Sequence, residues 1–272
     1  MKSLRPLAML LGVVLLASCD NSKTTKDISA PIAGSAVKFF NFGVGDTTVN
    51  FYANDQKLTA TSATSCSSSA TGQTADTTCL NGGKEPRTGT LYGTAANGGG
   101  LYSSVAPGNY TLSARLTTAA NNGVAISNTP VTLADGKFYS YYLSGKYNST
   151  TKTVDAFLVE DPLPAMDYVN ADVRFVNAIW NSQPMTLYAK DQKSGVEVAI
   201  GSTVAYKNAG PFVAIPNGIY TLSTRVAGSG TDVVTATDVS FSSGRVYTVT
   251  AYGDLTITKG TGTPALDNTT NR

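Results

Sequence analysis

Tyr110-Thr111-Leu112-Ser113-Ala114-Arg115 and Tyr220-Thr221-Leu222-Ser223-Thr224-Arg225 are one strand written twice. Apolar and polar residues alternate with period two, the mark of a strand with one face buried and one in water. In the first copy Tyr110, Leu112, Ala114 and Leu116 face inward and Thr111, Ser113 and Arg115 outward. In the second, Tyr220, Leu222, Thr224 and Val226 repeat the inward set. Each string follows a turn, Pro107-Gly108-Asn109 and Pro216-Asn217-Gly218, built from the residues that favour chain reversal.

Three further blocks recur in the same order. Val37-Lys38-Phe39-Phe40-Asn41 matches Val173-Arg174-Phe175-Val176-Asn177, and Tyr52-Ala53-Asn54-Asp55-Gln56-Lys57 matches Tyr188-Ala189-Lys190-Asp191-Gln192-Lys193. Gly136-Lys137-Phe138-Tyr139 matches Gly244-Arg245-Val246-Tyr247, with Tyr139, Tyr141 and Leu143 inward against Tyr247, Val249 and Ala251. The offset is 136 residues at the first two blocks and 110 at Tyr110/Tyr220, so the first copy carries about 26 extra residues between them. Strands spaced by roughly 8–12 residues with Gly, Pro or Asn between them indicate an all-β chain of two tandem antiparallel, immunoglobulin-like β-sandwiches. Two repeats cannot close a propeller. The expected organisation is a signal peptide at 1–18, a flexible tether at 19–35, a first sandwich at 36–163 with an insertion at about 60–90, a second at 164–258, and a loose tail at 259–272.

The leader reads as a lipoprotein signal. Lys2 and Arg5 precede an apolar run from Leu7 to Leu16, too short to span a bilayer, which ends in Leu16-Ala17-Ser18-Cys19. That ending has the form of a bacterial lipobox, whose Cys, here Cys19, takes a diacylglyceryl group and becomes the acylated first residue. More than one acyl chain is what stable anchoring needs. The expected location is the cell envelope, on the periplasmic side or the outer membrane. Asp20 after Cys19 resembles an inner-membrane retention signal of enteric bacteria, and the choice of membrane stays open.

Cleavage removes Lys2 and Arg5 and leaves 18 basic against 18 acidic residues. A neutral chain with no basic run argues against a nucleic-acid partner. The expected partners are the membrane, through the lipid, and an envelope protein or polysaccharide. With Cys19 acylated, Cys66 and Cys79 remain, an even pair in an exported chain. A structural disulfide across that stretch of the insertion, contributing about 3 kcal/mol, is preferred to a redox pair, which lacks Cys-x-x-Cys spacing.

There is no histidine among 272 residues, which excludes Ser-His-Asp triads, Cys-His dyads and His-ligated metal sites. Charged residues make up 14%, and 37 Thr and 26 Gly take their place, a composition for strands and turns. No cofactor or metal is expected. Asn97-Gly98-Gly99-Gly100 lacks the Lys-Ser/Thr of a phosphate loop. Glu160 and Asp161 are adjacent and point apart on an extended chain. Asp46, Asp55, Asp135, Asp172, Asp191 and Asp254 sit near turns, where Asp bonds its own backbone. Trp180, the sole Trp, falls in a loop, either capping the core or presented to a sugar or protein partner. Alternation turns Phe138 and Tyr142 outward, making an apolar patch for the other domain or a partner. Tyr139 and Tyr247 are placed to bond a neighbouring loop as a tyrosine corner does.

The lipobox, the paired Val-Lys/Arg-Phe-x-Asn strands, the turns before Tyr-Thr-Leu, the Gly-x-x-Tyr strands and Val159-Glu160-Asp161-Pro162-Leu163-Pro164 together resemble bacterial envelope lipoproteins of the family labelled domain of unknown function 4397, over about residues 36–258. The resemblance implies a β-sandwich and an envelope location, and brings no catalytic residues. Members often carry an Asn-Ala-Ser-Pro-Asp-like loop after the first strand; this chain has Asn41-Phe42-Gly43-Val44-Gly45-Asp46 and Asn177-Ala178-Ile179-Trp180-Asn181-Ser182 there. The reading is a non-enzymatic, lipid-anchored envelope protein. Its alternatives are a carbohydrate-binding or adhesin-type module, or an envelope glycan hydrolase using carboxylates.

Overall fold

A computed structural model describes residues 34–45, 48–59, 79–80, 85–86, 89–96, 100–118 and 120–272. Cys19 and Cys66 lie outside the described residues, as does the side chain of Cys79, so the lipid-anchor and disulfide assignments fall outside them too.

The first half holds β1 (Ser35–Asn41), β2 (Val49–Ala53), β3 (Gln56–Lys57), β4 (Cys79–Leu80), β5 (Glu85–Pro86), β6 (Thr94–Ala95), β7 (Ser103–Val105), β8 (Gly108–Leu116), β9 (Ala125–Leu133), β10 (Phe138–Asn148) and β11 (Thr153–Glu160). The second holds β12 (Asn170–Ile179), β13 (Met185–Asp191), β14 (Glu197–Val204), β15 (Asn208–Ala209), β16 (Val213–Pro216), β17 (Gly218–Val226), β18 (Asp232–Phe241), β19 (Val246–Gly253) and β20 (Ala265–Thr270).

Each half is a two-sheet sandwich, and the strand orders correspond. In the first, β11-β10-β1-β6, with β7 also on β1, faces β3-β2-β8-β9; in the second, β20-β19-β12-β15, with β16 also on β12, faces β14-β13-β17-β18. The extra hairpin β4–β5 belongs to the insertion. The inward set read from the repeat enters the cores, while Ser113, read as outward, and its equivalent Ser223 are buried as well. Leu112, Ala114, Leu116, Tyr141 and Leu143 enter the first core with Val37, Phe39 and Phe51. Tyr220, Leu222, Val249 and Ala251 enter the second with Val173, Phe175 and Leu187. Stacked rings of Phe39 and Phe51, 5.0 Å apart, bridge the first pair of sheets. Tyr141 carries a hydroxyl into that core and meets Ser127 at 3.1 Å and Thr129 at 3.0 Å, so its burial leaves no polar atom unpaired.

The tyrosine-corner expectation is met twice. The backbone N–H of Ala134 donates to the Tyr139 hydroxyl and that of Ser242 to the Tyr247 hydroxyl, each at 3.1 Å.

Two features depart from the sequence reading. Each sandwich contains a parallel pair, β1 with β10 and β12 with β19, so the sheets are mixed. The tail expected to be loose, 259–272, contains β20, which pairs antiparallel with β19 from Tyr252↔Ala265 to Tyr247↔Thr270. It is the counterpart of β11 on β10. Its apolar pattern is sparse because one face contributes only Leu266 to the core while the other meets the first sandwich through polar groups.

Candidate functional site

The outer faces of the two mixed sheets lie against each other. Period two sends Lys38, Phe40 and Phe42 to the outer face of the first sandwich and Arg174, Val176 and Ala178 to the outer face of the second. Contacts climb both strands in step. Lys38 meets the end of β20, Phe40, Phe42 and Tyr142 pack with Val176 and Ala178, Phe42 stacks on Tyr252 at 4.2 Å, and Ser144 Oγ donates to the Ala178 carbonyl at 2.8 Å. The sandwiches therefore stand side by side with equivalent strands running the same way.

At the start of these strands is a reciprocal clasp. Arg174 Nη1 donates to the carbonyl of Glu160, at the end of β11, at 2.9 Å, and its Nη2 binds the Asp161 carboxylate. Lys38, its repeat equivalent, donates from Nζ to the carbonyl of Thr270, at the end of β20, at 2.5 Å. Both cations lie over an aromatic ring at matching positions, Lys38 over Tyr102 at 4.5 Å and Arg174 over Phe212 at 4.9 Å. Asp161 also accepts from Ser140 Oγ at 2.8 Å and the Tyr102 hydroxyl at 2.7 Å. Its counterpart after β20 is Asn271, whose buried carboxamide has no hydrogen-bond partner among the described residues.

The two hooks differ electrostatically. Arg174 and Asp161 are both buried and bonded to each other, the condition under which a buried pair is tolerated. Lys38 is drawn down to about 8, chiefly because burial penalises its charge; Asp161 and Asp267 pull the other way, and Arg174 adds to the lowering. Burial also raises the Asp267 carboxyl, and burial together with Asp161 raises the Tyr102 phenol.

The apolar patch read from the sequence exists and is covered. Tyr142 stacks between Phe40 at 4.5 Å and Phe157 at 5.0 Å and is 0% exposed, because the second sandwich caps it. Tyr142 is thus an interdomain residue and not an open binding surface. Phe138 is half-buried, edge-on to Tyr102 at 5.1 Å. Outer-face alternation reveals that a face is apolar but not what lies on it.

Trp180 stands apart from both, just past the end of β12, and is 39% exposed. Its side chain adjoins Asp254, which accepts from Asn181 Nδ2 at 2.8 Å and from the N–H of Thr256 at 2.8 Å. Asn181 Oδ1 in turn receives the N–H of Leu255 at 3.1 Å. Burial alone would raise the Asp254 carboxyl, yet these donors hold it below its ordinary value. Part of the indole surface is open.

The other carboxylates occupy the places their sequence setting implies, with one exception. Glu160 turns outward to Lys137 at 2.7 Å while Asp161 turns inward. Asp191 caps a turn through Ser194, Asp135 receives the N–H of Gly34, and Asp55 pairs with Arg115 on the surface. Asp172 is the exception, buried within β12 and raised by burial. Asp46 lies outside the described residues, as do Asn97, Gly98 and Gly99. Glu197 and Asp232 share Arg225, at 2.6 Å each, and its hydrogen bonds hold both carboxyls low. A glycosidase pair needs one carboxyl raised instead. A shallow cleft between Asn54, Asn109, Tyr110 and Pro130 has no carboxylate in its lining.

Lys38, Arg174 and Asp161 were not singled out by the sequence reading as a site. The available signal was a cation at the same outward position of both Val-x-Phe strands, each alternating with apolar residues on a face that water would otherwise wet.

The family model described as domain of unknown function (DUF4397) matches residues 87–188 and again 171–272. The first match begins beyond β5, and the two overlap through β12 and into β13. No curated protein matches this chain. Two successive matches over two sandwiches of the same strand order place the chain in the DUF4397 family, as a tandem pair of domains of unknown function.

Proposed function

We propose that this protein is a non-enzymatic, lipid-anchored component of the bacterial cell envelope whose two sandwiches form one rigid body for binding or structural support. The observation that carries the reading is the reciprocal clasp. It commits buried charge and a stacked aromatic pair to holding two domains in a single arrangement, which suits a spacer or a binding scaffold. The lipobox at Cys19 supports attachment to the membrane, and the neutral mature chain supports a protein or polysaccharide partner over nucleic acid.

The test is a Cys19→Ser variant expressed in a lipoprotein-processing host with radiolabelled palmitate. The wild-type chain is expected to carry label and sediment with membranes, and the variant to lose the label and the membrane association. An unlabelled wild-type chain refutes the anchor. Density-gradient fractionation of the same membranes distinguishes inner from outer placement.

A further inference from the structure

The side-by-side arrangement has a directional consequence. Because β1 and β12 run the same way, equivalent loops of both sandwiches emerge at the same end. The described chain enters at Gly34 and Ser35, at the opposite end, where β1 begins. At the far end the loops of the two sandwiches touch. Gly262, in the β19–β20 loop, lies against Val44 of the first sandwich, where a side chain would come within 2.8 Å of Val44 Cγ1, and its φ of +97° suits glycine alone. Tyr206 of the second sandwich bonds Ser144 of the first at 3.1 Å, and Lys207 pairs with Asp155 at 3.0 Å. The far end is one composite surface.

Trp180 belongs to that end. It adjoins Asp254, and its chain neighbour Asn181 is bonded to Asp254 at 2.8 Å and to the N–H of Leu255 at 3.1 Å. The loop beside it runs Leu255-Thr256-Ile257-Thr258-Lys259-Gly260-Thr261, in which hydroxyls outnumber charges, and the adjoining Asp254 is buried and already bonded. Gln183 adds an exposed carboxamide. A partly open flat ring beside a loop rich in hydroxyls is the chemistry that receives a pyranose. The ring stacks on the C–H face and the hydroxyls exchange hydrogen bonds.

We propose that the end of the body opposite Ser35 is its binding face and that Trp180 is the platform for a pyranose ring of an envelope polysaccharide. The inference rests on the anchored-scaffold reading for the source of the glycan but not for the site itself. Trp180 is the only tryptophan, so its fluorescence reports this site alone. The experiment titrates the mature protein in detergent with three probes: the N-acetylglucosamine tetramer, cellotetraose and a galacturonate tetramer.

At least one probe is expected to give a saturable emission change. Trp180→Ala is expected to weaken that binding at least tenfold, read by calorimetry, with an unchanged unfolding midpoint; Trp180→Phe, which keeps a ring, retains most of it. No emission change with any of the three, or equal binding by Trp180→Ala, overturns the proposal. If Trp180→Ala shifts the unfolding midpoint, Trp180→Phe decides: loss of binding there without a stability change also counts against stacking. Saturable binding by a protein that carries no palmitate sustains the site while refuting the anchor.

Discussion

Replacing Lys38 by Met should make the protein more stable, although it removes a buried bonded cation. The side chain is 1% exposed, and its ammonium is drawn from 10.5 down to about 8, first by burial. At about 1.4 kcal/mol for each tenfold change, carrying the charge in the folded state near neutral pH costs about 3 kcal/mol relative to the unfolded chain. Methionine fills a similar volume without that cost but forfeits the hydrogen bond to the Thr270 carbonyl, about 1–1.5 kcal/mol. The net expectation is a gain of about 1–2 kcal/mol at pH 7, in keeping with buried charges being replaceable by apolar isosteres.

The pH dependence gives the sharper test. With the folded value below the unfolded one, the unfolded chain binds more protons between about pH 8 and 10.5. Wild-type stability should therefore gain a rising contribution across that window and none from Lys38 below it. Lys38→Met lacks this contribution, so its advantage at pH 7 should shrink towards zero or reverse by about pH 10. Urea midpoints followed by far-ultraviolet circular dichroism at both pH values measure it. A Met variant less stable at pH 7, or an advantage that does not change with pH, refutes the reasoning.

The matching substitution on the other hook should have the opposite sign. Arg174→Met leaves Asp161 buried without its cation and is expected to lower stability by about 3–5 kcal/mol, checked by the same urea midpoints. Tyr139→Phe and Tyr247→Phe each remove one hydrogen bond to a loop N–H at the same place in the repeat, so both should cost about 1 kcal/mol and agree with each other. Unequal losses in thermal unfolding would show that the two corners are not energetically equivalent.

The inner half of each sandwich was legible in the sequence. Leu112, Leu222, Tyr141 and Val249 face the cores because a period of two admits one orientation once the face is chosen. The tyrosine corners were legible because Tyr139 and Tyr247 stand at a fixed step after a glycine. The outer face was not. A lysine alternating with phenylalanine looks like a solvated surface with chance aromatics until something is placed over it. That covering sheet is more than a hundred residues away in the chain, at Thr270 for Lys38, and no local pattern encodes the contact. The parallel pairing of β1 with β10 was hidden for the same reason. β20 was missed because Lys259-Gly260-Thr261-Gly262-Thr263 reads as a loop and the strand after it buries a single large apolar side chain inward.

The parallel pairing of β1 has a mechanical meaning under the proposed lipid anchor, which would hold the chain by its leading end. Tension on Ser35 runs along β1, while its hydrogen bonds to β10 and to the short strands β6 and β7 lie across that direction. The load is thus taken in shear, by the whole row of bonds together, and not by peeling them open one at a time. Drag on the body while its tether is fixed would pull on the part of the first sandwich whose bonds resist as a set, and Phe40 and Lys38 on the same strand pass that force into the second sandwich through their packed contacts.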